Sequence, residues 1–389
     1  MAFDKFIEIS KFFLIIGGDW PFKITDNQCF AKLYNLFSNF QAISFIALIL
    51  SLFANLIILL VKHDNLTRLF GAVNVFIICA ESCTKVLLFR LKKIPDMCLY
   101  IMQYEEEILT RSTDQEAKDC YQKHVNYCRK VNVIQFLATL ASCFFFALVA
   151  LLQVFACEDF TDKPFMHDMW FPFRRERHMP IVIFICLFVD TQGVIFNTYT
   201  QTTFIGLMIY ASARLEILQV KLRKFDEIAA KQYNGDVLFT VKQLIVEHRD
   251  IIGFVQSLND RTKYVMLLEY ILNSVCLATG LIQLIVADTA SGLLSLFCII
   301  FLVVTQIFIL AWSANEICVA SLGVADAIFA SNWTEHSNEV KKLLLIMIMR
   351  SQVPIGLTAG PFFQMRTNTA LTTVKIAYSY VSFMAQSVR

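Results

Sequence analysis

The sequence predicts an all-α membrane protein with seven transmembrane helices, a cytosolic N-terminus and an extracellular C-terminus. Hydrophobic residues make up 57% of the 389 residues, charged residues only 17%, and the mean hydropathy is +0.58, whereas a soluble domain carries about a quarter charged residues. Seven apolar stretches of about 20 or more residues recur along the chain, which is the length that a bilayer core requires. Lys and Arg concentrate in the segments that this orientation places in the cytosol.

The segments around these spans differ in character. Residues 1–36 carry scattered charges and predict a cytosolic or interfacial amphipathic segment. Residues 37–317 contain six spans, at about residues 37–61, 69–89, 131–156, 180–210, 264–287 and 293–317. Residues 318–363 predict a cytosolic anchor segment, and residues 364–389 predict a final helix.

Two cytosolic loops predict helices rather than linkers. Residues 90–130 are charged and have helical character. After the fourth span the helix continues to about residue 231, a turn follows at Asn234 and Gly235, and a second charged helix leads into the fifth span. The sequence therefore predicts a cytosolic helical hairpin between these two spans.

The sequence contains no recognisable catalytic or metal-binding motif. Its six His residues are scattered in loops, and it has neither a phosphate-binding Gly loop nor an HExxH helix. Cys79 and Cys83 lie one helical turn apart inside a span, a spacing more typical of packing than of ligation. The net charge of +2 gives no basic surface for nucleic acid. We therefore expect neither an enzyme nor a nucleic-acid-binding protein, and no cofactor.

Four charged residues fall inside the predicted spans. Glu81 and Lys85 are four residues apart on one helix face, which predicts a mutual ion pair. Asp190 and Glu269 have no partner at helical spacing. Each is therefore expected either to pair with a residue on another helix or to face water within the membrane.

A ligand pocket is expected among the outer halves of the second, third and fourth spans. Small apolar ligands bind in apolar, aromatic cavities that contain a few polar groups. Core packing would explain each of these side chains equally well. The candidate residues are Val73, Phe76, Ile77, Ala80, Ser142, Phe145, Phe146, Val149, Phe184, Phe188, Thr191 and Gln192. No charged pair converges on this set, which disfavours an ionic ligand.

The final helix carries a stripe of polar residues. Three- and four-residue steps place the stripe on one helix face, and its members are Thr369, Thr372, Ser379, Ser382 and Gln386. Small hydroxyl residues often join packed membrane helices. Polar side chains in a membrane are also well tolerated where they face water, as in a channel. The stripe alone does not distinguish these two interpretations.

The last ninety residues or so resemble insect odorant receptors. The matching stretches are ILAWSANEI at 309–317, AIFASNW at 327–333, MRSQ at 349–352 with Pro354, Ala359 with Gly360, and Lys375 with YSY at 378–380. A WFPF run at 170–173 also resembles this family. Together these motifs are specific, whereas each alone is weak.

This resemblance implies a ligand-gated, non-selective cation channel with four subunits around one pore. It implies a plasma membrane protein of the sensory neuron dendrite whose final helix lines the pore and whose pocket binds a small volatile molecule. By position, Gln386 matches the family's pore glutamine, with Ser382, Phe383 and Ala385 near the gate. The loop of about fifty residues before the fifth span is shorter than in the shared co-receptor, which implies an odour-tuning subunit that assembles with that co-receptor.

Three other functions stay open from the sequence. Related gustatory receptors place a Thr-Tyr pair before a Gln-Phe pair; Tyr380 and Gln386 have that spacing, but Ser379 and Ser387 replace the Thr and the Phe. A G-protein-coupled receptor would need an extracellular N-terminus, opposite to the predicted orientation. A transporter would be expected to show an internal repeat or paired broken helices, and the sequence has neither.

Overall fold

The computed structural model describes residues 5–20, 28–62, 66–111, 114–156, 169–173, 175–286 and 290–387. Most of these residues are helical. The helices are α1 (Glu8–Gly17), α2 (Gln28–Val61), α3 (Leu66–Leu91), α4 (Pro95–Arg111), α5 (Gln115–Ala156), α6 (Met179–Arg223), α7 (Phe225–Gln232), α8 (Val237–Val286), α9 (Ala290–Phe329), α10 (Asn338–Ser351) and α11 (Thr367–Ser387). Short 3-10 turns precede α6 and α10.

Six helices in the described part of the chain, namely α2, α3, α5, α6, α8 and α9, are long and apolar enough to cross a membrane. They coincide with the first six predicted spans, which confirms the all-α membrane fold. The seventh predicted span coincides with α11, whose 21 residues extend about 31 Å and so match the thickness of a bilayer core. The orientation of the termini stays a prediction.

Several helices are longer than the apolar spans they contain. The charged helix predicted after residue 237 and the fifth span form one continuous helix, α8, of 50 residues. The Asn234 and Gly235 turn before it is present, with both residues at positive φ. Hydropathy marks where charges begin, but without a Gly or Pro break the helix continues past that point. The predicted helical hairpin is therefore confirmed, with a longer second arm.

Helix α6 occupies the centre of the bundle and packs against α9, α5, α1, α8 and α3. From Thr198 to Leu215 every side chain of α6 is buried, although this stretch contains several hydroxyl groups. Two of these hydroxyls bond to their own helix, since Thr200 Oγ1 donates to the Phe196 carbonyl and Thr202 Oγ1 donates to the Thr198 carbonyl, each at 2.8 Å. A helix that is buried on all faces is the core of its bundle.

Helix α1 packs against α6 through one face, and its Glu8 and Phe12 are exposed. The cytosolic or interfacial position predicted for residues 1–36 stays a prediction. Leu14 and Gly17 of α1 are buried, and a Cβ at Gly17 would come within 2.6 Å of the Tyr199 ring. The Asp19 carboxylate accepts hydrogen bonds from the Tyr199 hydroxyl and from Arg90 Nε, the latter at 2.5 Å. Burial raises the pKa of Asp19, and Arg90 opposes that shift. This polar cluster holds the N-terminal segment against α3 and α6.

The Pro- and Gly-rich segment after α10 folds into a small antiparallel hairpin that the sequence did not predict. Its strands are β1 (Thr358–Ala359) and β2 (Phe363–Gln364). The turn between them contains Gly360 at φ +60°, where a Cβ would lie 2.8 Å from Leu267 Cδ2. Positive φ and close approach both favour Gly at this position.

Hydrogen bonds fix this hairpin to α8 just before α11 begins. Asn259 Oδ1 accepts from the Thr358 amide at 2.8 Å and from its hydroxyl at 3.1 Å. The Gly360 amide donates to the Lys263 carbonyl at 2.7 Å. The start of α11 is therefore positioned by α8 rather than by a free loop.

Candidate functional site

A cavity of about 160 Å³ lies between α2, α3, α5, α6, α8 and α9. Most of its wall is apolar. The apolar lining residues are Phe45, Val75, Ile78, Phe146, Val189, Val194, Ile299, Leu302 and Val303. Polar side chains also reach the wall, and they are Glu81, Ser82, Thr139, Ser142, Asp190, Asn197, Asn273 and Gln306. An apolar wall with a few polar groups is typical of a site for a small organic molecule.

Two polar groups on this wall have unused donors. The amide nitrogens of Asn273 and Gln306 are buried, and neither has a hydrogen-bond partner among the residues that the structure describes. A buried donor without a partner costs roughly 1–3 kcal/mol. An acceptor oxygen on a bound molecule, or a water, would remove that cost. The hydroxyl of Ser142, in contrast, is already used, because it donates to the Cys298 carbonyl at 3.1 Å.

An ionic network lies at one edge of the cavity. Lys85 Nζ is 2.6 Å from Glu81 Oε1 and 3.1 Å from Glu269 Oε1, and all three side chains are almost fully buried. Gln201 on α6 donates to the same Glu269 oxygen. The predicted pair of Glu81 and Lys85 is therefore confirmed, and Glu269 finds its partner across helices. One ammonium group neutralises only one of two carboxylates, so the Gln201 amide provides part of the remaining stabilisation.

The predicted ligand residues coincide with the cavity wall only at Ser142 and Phe146. On α3 the observed lining positions 75, 78, 79 and 82 are each two residues after the predicted positions 73, 76, 77 and 80. Two residues correspond to about 200° around a helix, so Val73, Phe76, Ile77 and Ala80 occupy nearly the opposite face. These four residues therefore do not line this cavity, and their contact with a ligand stays a prediction.

The candidates on α5 and α6 that miss the cavity have other surroundings. Phe145, Phe184 and Phe188 are exposed on the outer surface of the chain, and Phe184 is 70% exposed. Val149 is buried but does not line the cavity.

The two polar candidates on α6 also have other contacts. Thr191 bonds back to the Leu187 carbonyl, and Gln192 donates to Gln41 and to Ser44 Oγ of α2. Contact of any of these residues with a ligand stays a prediction.

The sequence analysis missed the contributions of α8 and α9. Asn273, Ile299, Val303 and Gln306 come from these helices and close one side of the cavity. A usable signal was present for Asn273 and Gln306, since polar residues inside apolar spans usually face the interior of a bundle. The apolar residues had no such signal, because Ile and Val are common on every face of a membrane helix.

Helix α11 packs against α8 and α9 through one face and exposes its hydroxyl stripe. Ala370, Thr373 and Ala377 are buried, whereas Thr372, Ser379 and Ser382 are exposed. The hydroxyls of Thr372 and Ser379 each donate to a carbonyl one turn earlier in α11, at 2.9 Å. These groups therefore have no need of a partner on another helix of the same chain.

The three remaining pore candidates, Phe383, Ala385 and Gln386, belong to the helical backbone of α11. Their side chains lie outside the described part of the structure.

The chain is similar to known receptors in both sequence and fold. A family model described as "7tm Odorant receptor" matches residues 65–378. Odorant receptor 10 of Aedes albopictus is 27% identical over 181 residues, which are 46% of this chain and 48% of that protein. Odorant receptor Or2 of Anopheles gambiae is 25% identical over 190 residues, which are 49% and 50% of the two chains. The aligned region thus spans about half the length of these curated relatives.

The fold resemblance covers almost the whole chain. The olfactory receptor OR5 from Machilis hrabei, solved alone and in complex with eugenol, superposes with a TM-score of 0.84 at 14% identity, over 98% of this chain and 97% of that one. At this identity the superposition supports the fold alone. Because the family model covers most of the sequence and six helices suit a membrane, the chain is a multi-pass membrane protein that belongs to the insect odorant receptor family.

Proposed function

We propose that this chain is an odour-tuning receptor subunit that binds a small volatile molecule in the central cavity. The observation that carries the proposal is a mostly apolar cavity with two unused buried donors, on Asn273 and Gln306. Cavities of about 150 Å³ hold a molecule the size of benzene, so a volume of about 160 Å³ suits a ligand of similar size. The complex of the Machilis hrabei receptor with eugenol supports a small organic ligand.

The amide groups on the wall favour a ligand that contains an acceptor oxygen. Glu81 on the same wall is paired with Lys85. The amide donors of Asn273 and Gln306 match a carbonyl, ether or hydroxyl oxygen, and the apolar wall matches the rest of a volatile molecule.

The second part of the proposal is that ligand binding opens a cation channel of four subunits that include the odorant receptor co-receptor. Support comes from α11, whose hydroxyl stripe at Thr372, Ser379 and Ser382 is exposed on the single chain. A stripe of this kind suits the wall of a water-filled path between subunits. Phe383, Ala385 and Gln386, further along α11, are the proposed gate region in the plasma membrane of a sensory neuron.

Heterologous recordings test the channel. Cells that express the chain with the co-receptor are exposed to a broad panel of volatiles, and cells with either subunit alone serve as controls. We expect a cation current that requires both subunits, and Gln386→Ala should change its size or ion preference. A ligand response that runs through a G protein without any conductance would reject the channel.

A second experiment tests the cavity with matched variants. Phe146→Ala removes a ring from the cavity wall and should raise the half-maximal ligand concentration by about tenfold, whereas Phe184→Ala, on an exposed ring, should leave it unchanged. Gln306→Leu should weaken oxygen-containing ligands by about tenfold and spare hydrocarbons of the same shape. Equal effects of Phe146→Ala and Phe184→Ala would place the ligand elsewhere.

A further inference from the structure

Three side chains that are able to hold a metal ion meet outside the cavity, where α5 crosses α6. Cys120 and His124 are four residues apart on one face of α5, and Glu216 approaches them from α6. The Sγ, imidazole nitrogen and carboxylate oxygen of this Cys-His-Glu cluster all lie within 4.8 Å of one another. Along α5 the cluster is about 27 Å from Ser142 of the cavity wall, so it is a separate feature of the molecule.

The orientation of His124 leaves one ring nitrogen directed at Glu216. Its Nδ1 is 3.0 Å from the Cys120 carbonyl oxygen, and because a carbonyl only accepts, Nδ1 carries the hydrogen. Its Nε2 faces Glu216 Oε1. A backbone carbonyl that fixes the far nitrogen is the usual support for a metal-ligating His.

The separation of the two side chains is compatible with a shared cation. His124 Nε2 and Glu216 Oε1 are 3.4 Å apart, whereas a charge-assisted hydrogen bond closes to about 2.7–2.9 Å. Tetrahedral Zn²⁺ with bonds of about 2.0–2.2 Å separates its nitrogen and oxygen ligands by about 3.4 Å. The observed distance between these two atoms therefore matches the distance between two ligands of one tetrahedral ion.

We propose that Cys120, His124 and Glu216 form a binding site for a divalent transition metal, with Zn²⁺ as the best match. A set of one thiolate, one imidazole and one carboxylate suits Zn²⁺ and Co²⁺, whereas Mg²⁺ and Ca²⁺ favour sites built of oxygen ligands. Three protein ligands leave a fourth position for water. The Cys120 thiol loses its proton to solvent on binding, and the thiolate and Glu216 together balance the charge of the ion.

The surrounding charges are compatible with this assignment. Glu316 on α9 interacts electrostatically with both Glu216 and His124 and adds a second carboxylate to the neighbourhood. Lys123 on α5 interacts electrostatically with Glu216 and adds a positive charge to the same neighbourhood. The His124 side chain is only 9% exposed and the Glu216 side chain 37% exposed, so the site is shielded on one side and has an entry path on the other. A bound ion would join α5 to α6.

Cobalt spectroscopy tests the site. The full-length chain in detergent, reduced and treated with a chelator, is titrated with Co²⁺ alone. We expect one ion per chain, a thiolate-to-cobalt charge-transfer band and the intense visible bands of tetrahedral Co²⁺, all displaced by Zn²⁺. Cys120→Ser should abolish the charge-transfer band, and His124→Gln should weaken binding by at least about tenfold. Cys29→Ser, which changes an exposed thiol on α2, is the matched control and should bind as the native chain does.

Two results would overturn the proposal. Either the native chain binds no Co²⁺ at micromolar concentrations, as expected if His124 and Glu216 form only an ion pair, or Cys120→Ser keeps the charge-transfer band, so that another thiol holds the ion. If Cys120→Ser does not fold, Glu216→Gln provides an independent test. It keeps the size of the side chain and should lower the Co²⁺ affinity by at least about tenfold and remove the Zn²⁺-dependent rise in Tm that the native chain shows. An unchanged affinity in Glu216→Gln would contradict the site.

Discussion

The two ends of α6 lie in different surroundings. Residues 179–197, the cavity half, alternate between exposed and buried positions and contribute Val189, Asp190, Val194 and Asn197 to the cavity wall. Residues 198–222, the packed half, are almost entirely buried, against α5 and α9 above all. One continuous helix thus borders the cavity at one end and close-packed side chains at the other.

We propose that this difference separates the region that selects a ligand from the region that maintains the fold. Close-packed side chains transmit small displacements and resist rearrangement, whereas side chains around a cavity have room to adjust. We therefore expect sequence changes in the cavity half to alter which molecules bind, and changes in the packed half to alter how much protein folds. Substitutions in and around the two halves test this division.

The largest effect is expected at the boundary, in the ionic network. Lys85→Met removes the only ammonium group that the described structure places next to Glu81 and Glu269, which leaves two buried carboxylates uncompensated. Breaking a buried pair in this way costs about 3–5 kcal/mol. The fraction of monodisperse protein that survives heating, measured by size-exclusion chromatography, should fall sharply. Lys375→Met, at an exposed position of α11, is the control; equal survival of the two variants would contradict the prediction.

A pair of identical substitutions compares the packed half of α6 with the cavity wall. Leu215→Ala in the packed half, where the side chain is fully buried, should cost about 2–5 kcal/mol because it opens a new cavity. Leu302→Ala on α9 enlarges a cavity that already exists, so it should cost less. Thermal unfolding of both variants measures the difference. Equal losses would mean that the cavity wall contributes to stability as much as the core does.

The hairpin before α11 provides the third test. Gly360→Ala places a Cβ 2.8 Å from Leu267 Cδ2 at a φ of +60°, and strain of this kind costs about 1–3 kcal/mol. Gly253→Ala on α8 is the control, because a Cβ there meets nothing within 4 Å and Ala favours a helix interior by up to about 1 kcal/mol. The melting temperature should fall in the first variant and hold or rise in the second; the reverse order would contradict the packing of the hairpin on α8.

The smallest effect is expected at the polar cluster that holds α1. Tyr199→Phe removes the hydroxyl that donates to Asp19 and should cost about 1 kcal/mol. Protease cleavage within the first twenty residues, which follows local opening of α1, should become several-fold faster. Tyr378→Phe, at an exposed ring of α11, should cleave at the native rate. If Tyr199→Phe also cleaves at the native rate, the cluster does not hold α1.

Features that depend on residues close in the sequence were predicted well. Hydropathy located the six spans, since each is a continuous apolar run. The four-residue spacing of Glu81 and Lys85 predicted their ion pair, and Asn234 with Gly235 predicted the turn before α8. Each of these depends on a few neighbouring residues, whose geometry is the same in almost any fold.

Features that depend on distant segments were not predicted. The α3 residues that line the cavity differ from the predicted ligand residues, because apolar residues occur on several faces of that helix and periodicity does not reveal which stripe faces the cavity. Nothing in residues 5–20 indicates a contact with Tyr199, nor does the Pro354 to Pro361 segment indicate that Asn259 will cap its hairpin. These contacts depend on how distant segments pack against one another, which is determined only in the folded bundle.

The continuity of α8 has a mechanical consequence. Helix α8 carries both Asn273, on the cavity wall, and Asn259, which accepts hydrogen bonds from the hairpin. The two residues lie about 21 Å apart along the helix, and no Gly or Pro occurs between them. We therefore expect a ligand that displaces α8 at Asn273 to displace it at Asn259 as well. The hairpin is bound to α8 at Asn259, so the start of α11 is expected to move with it.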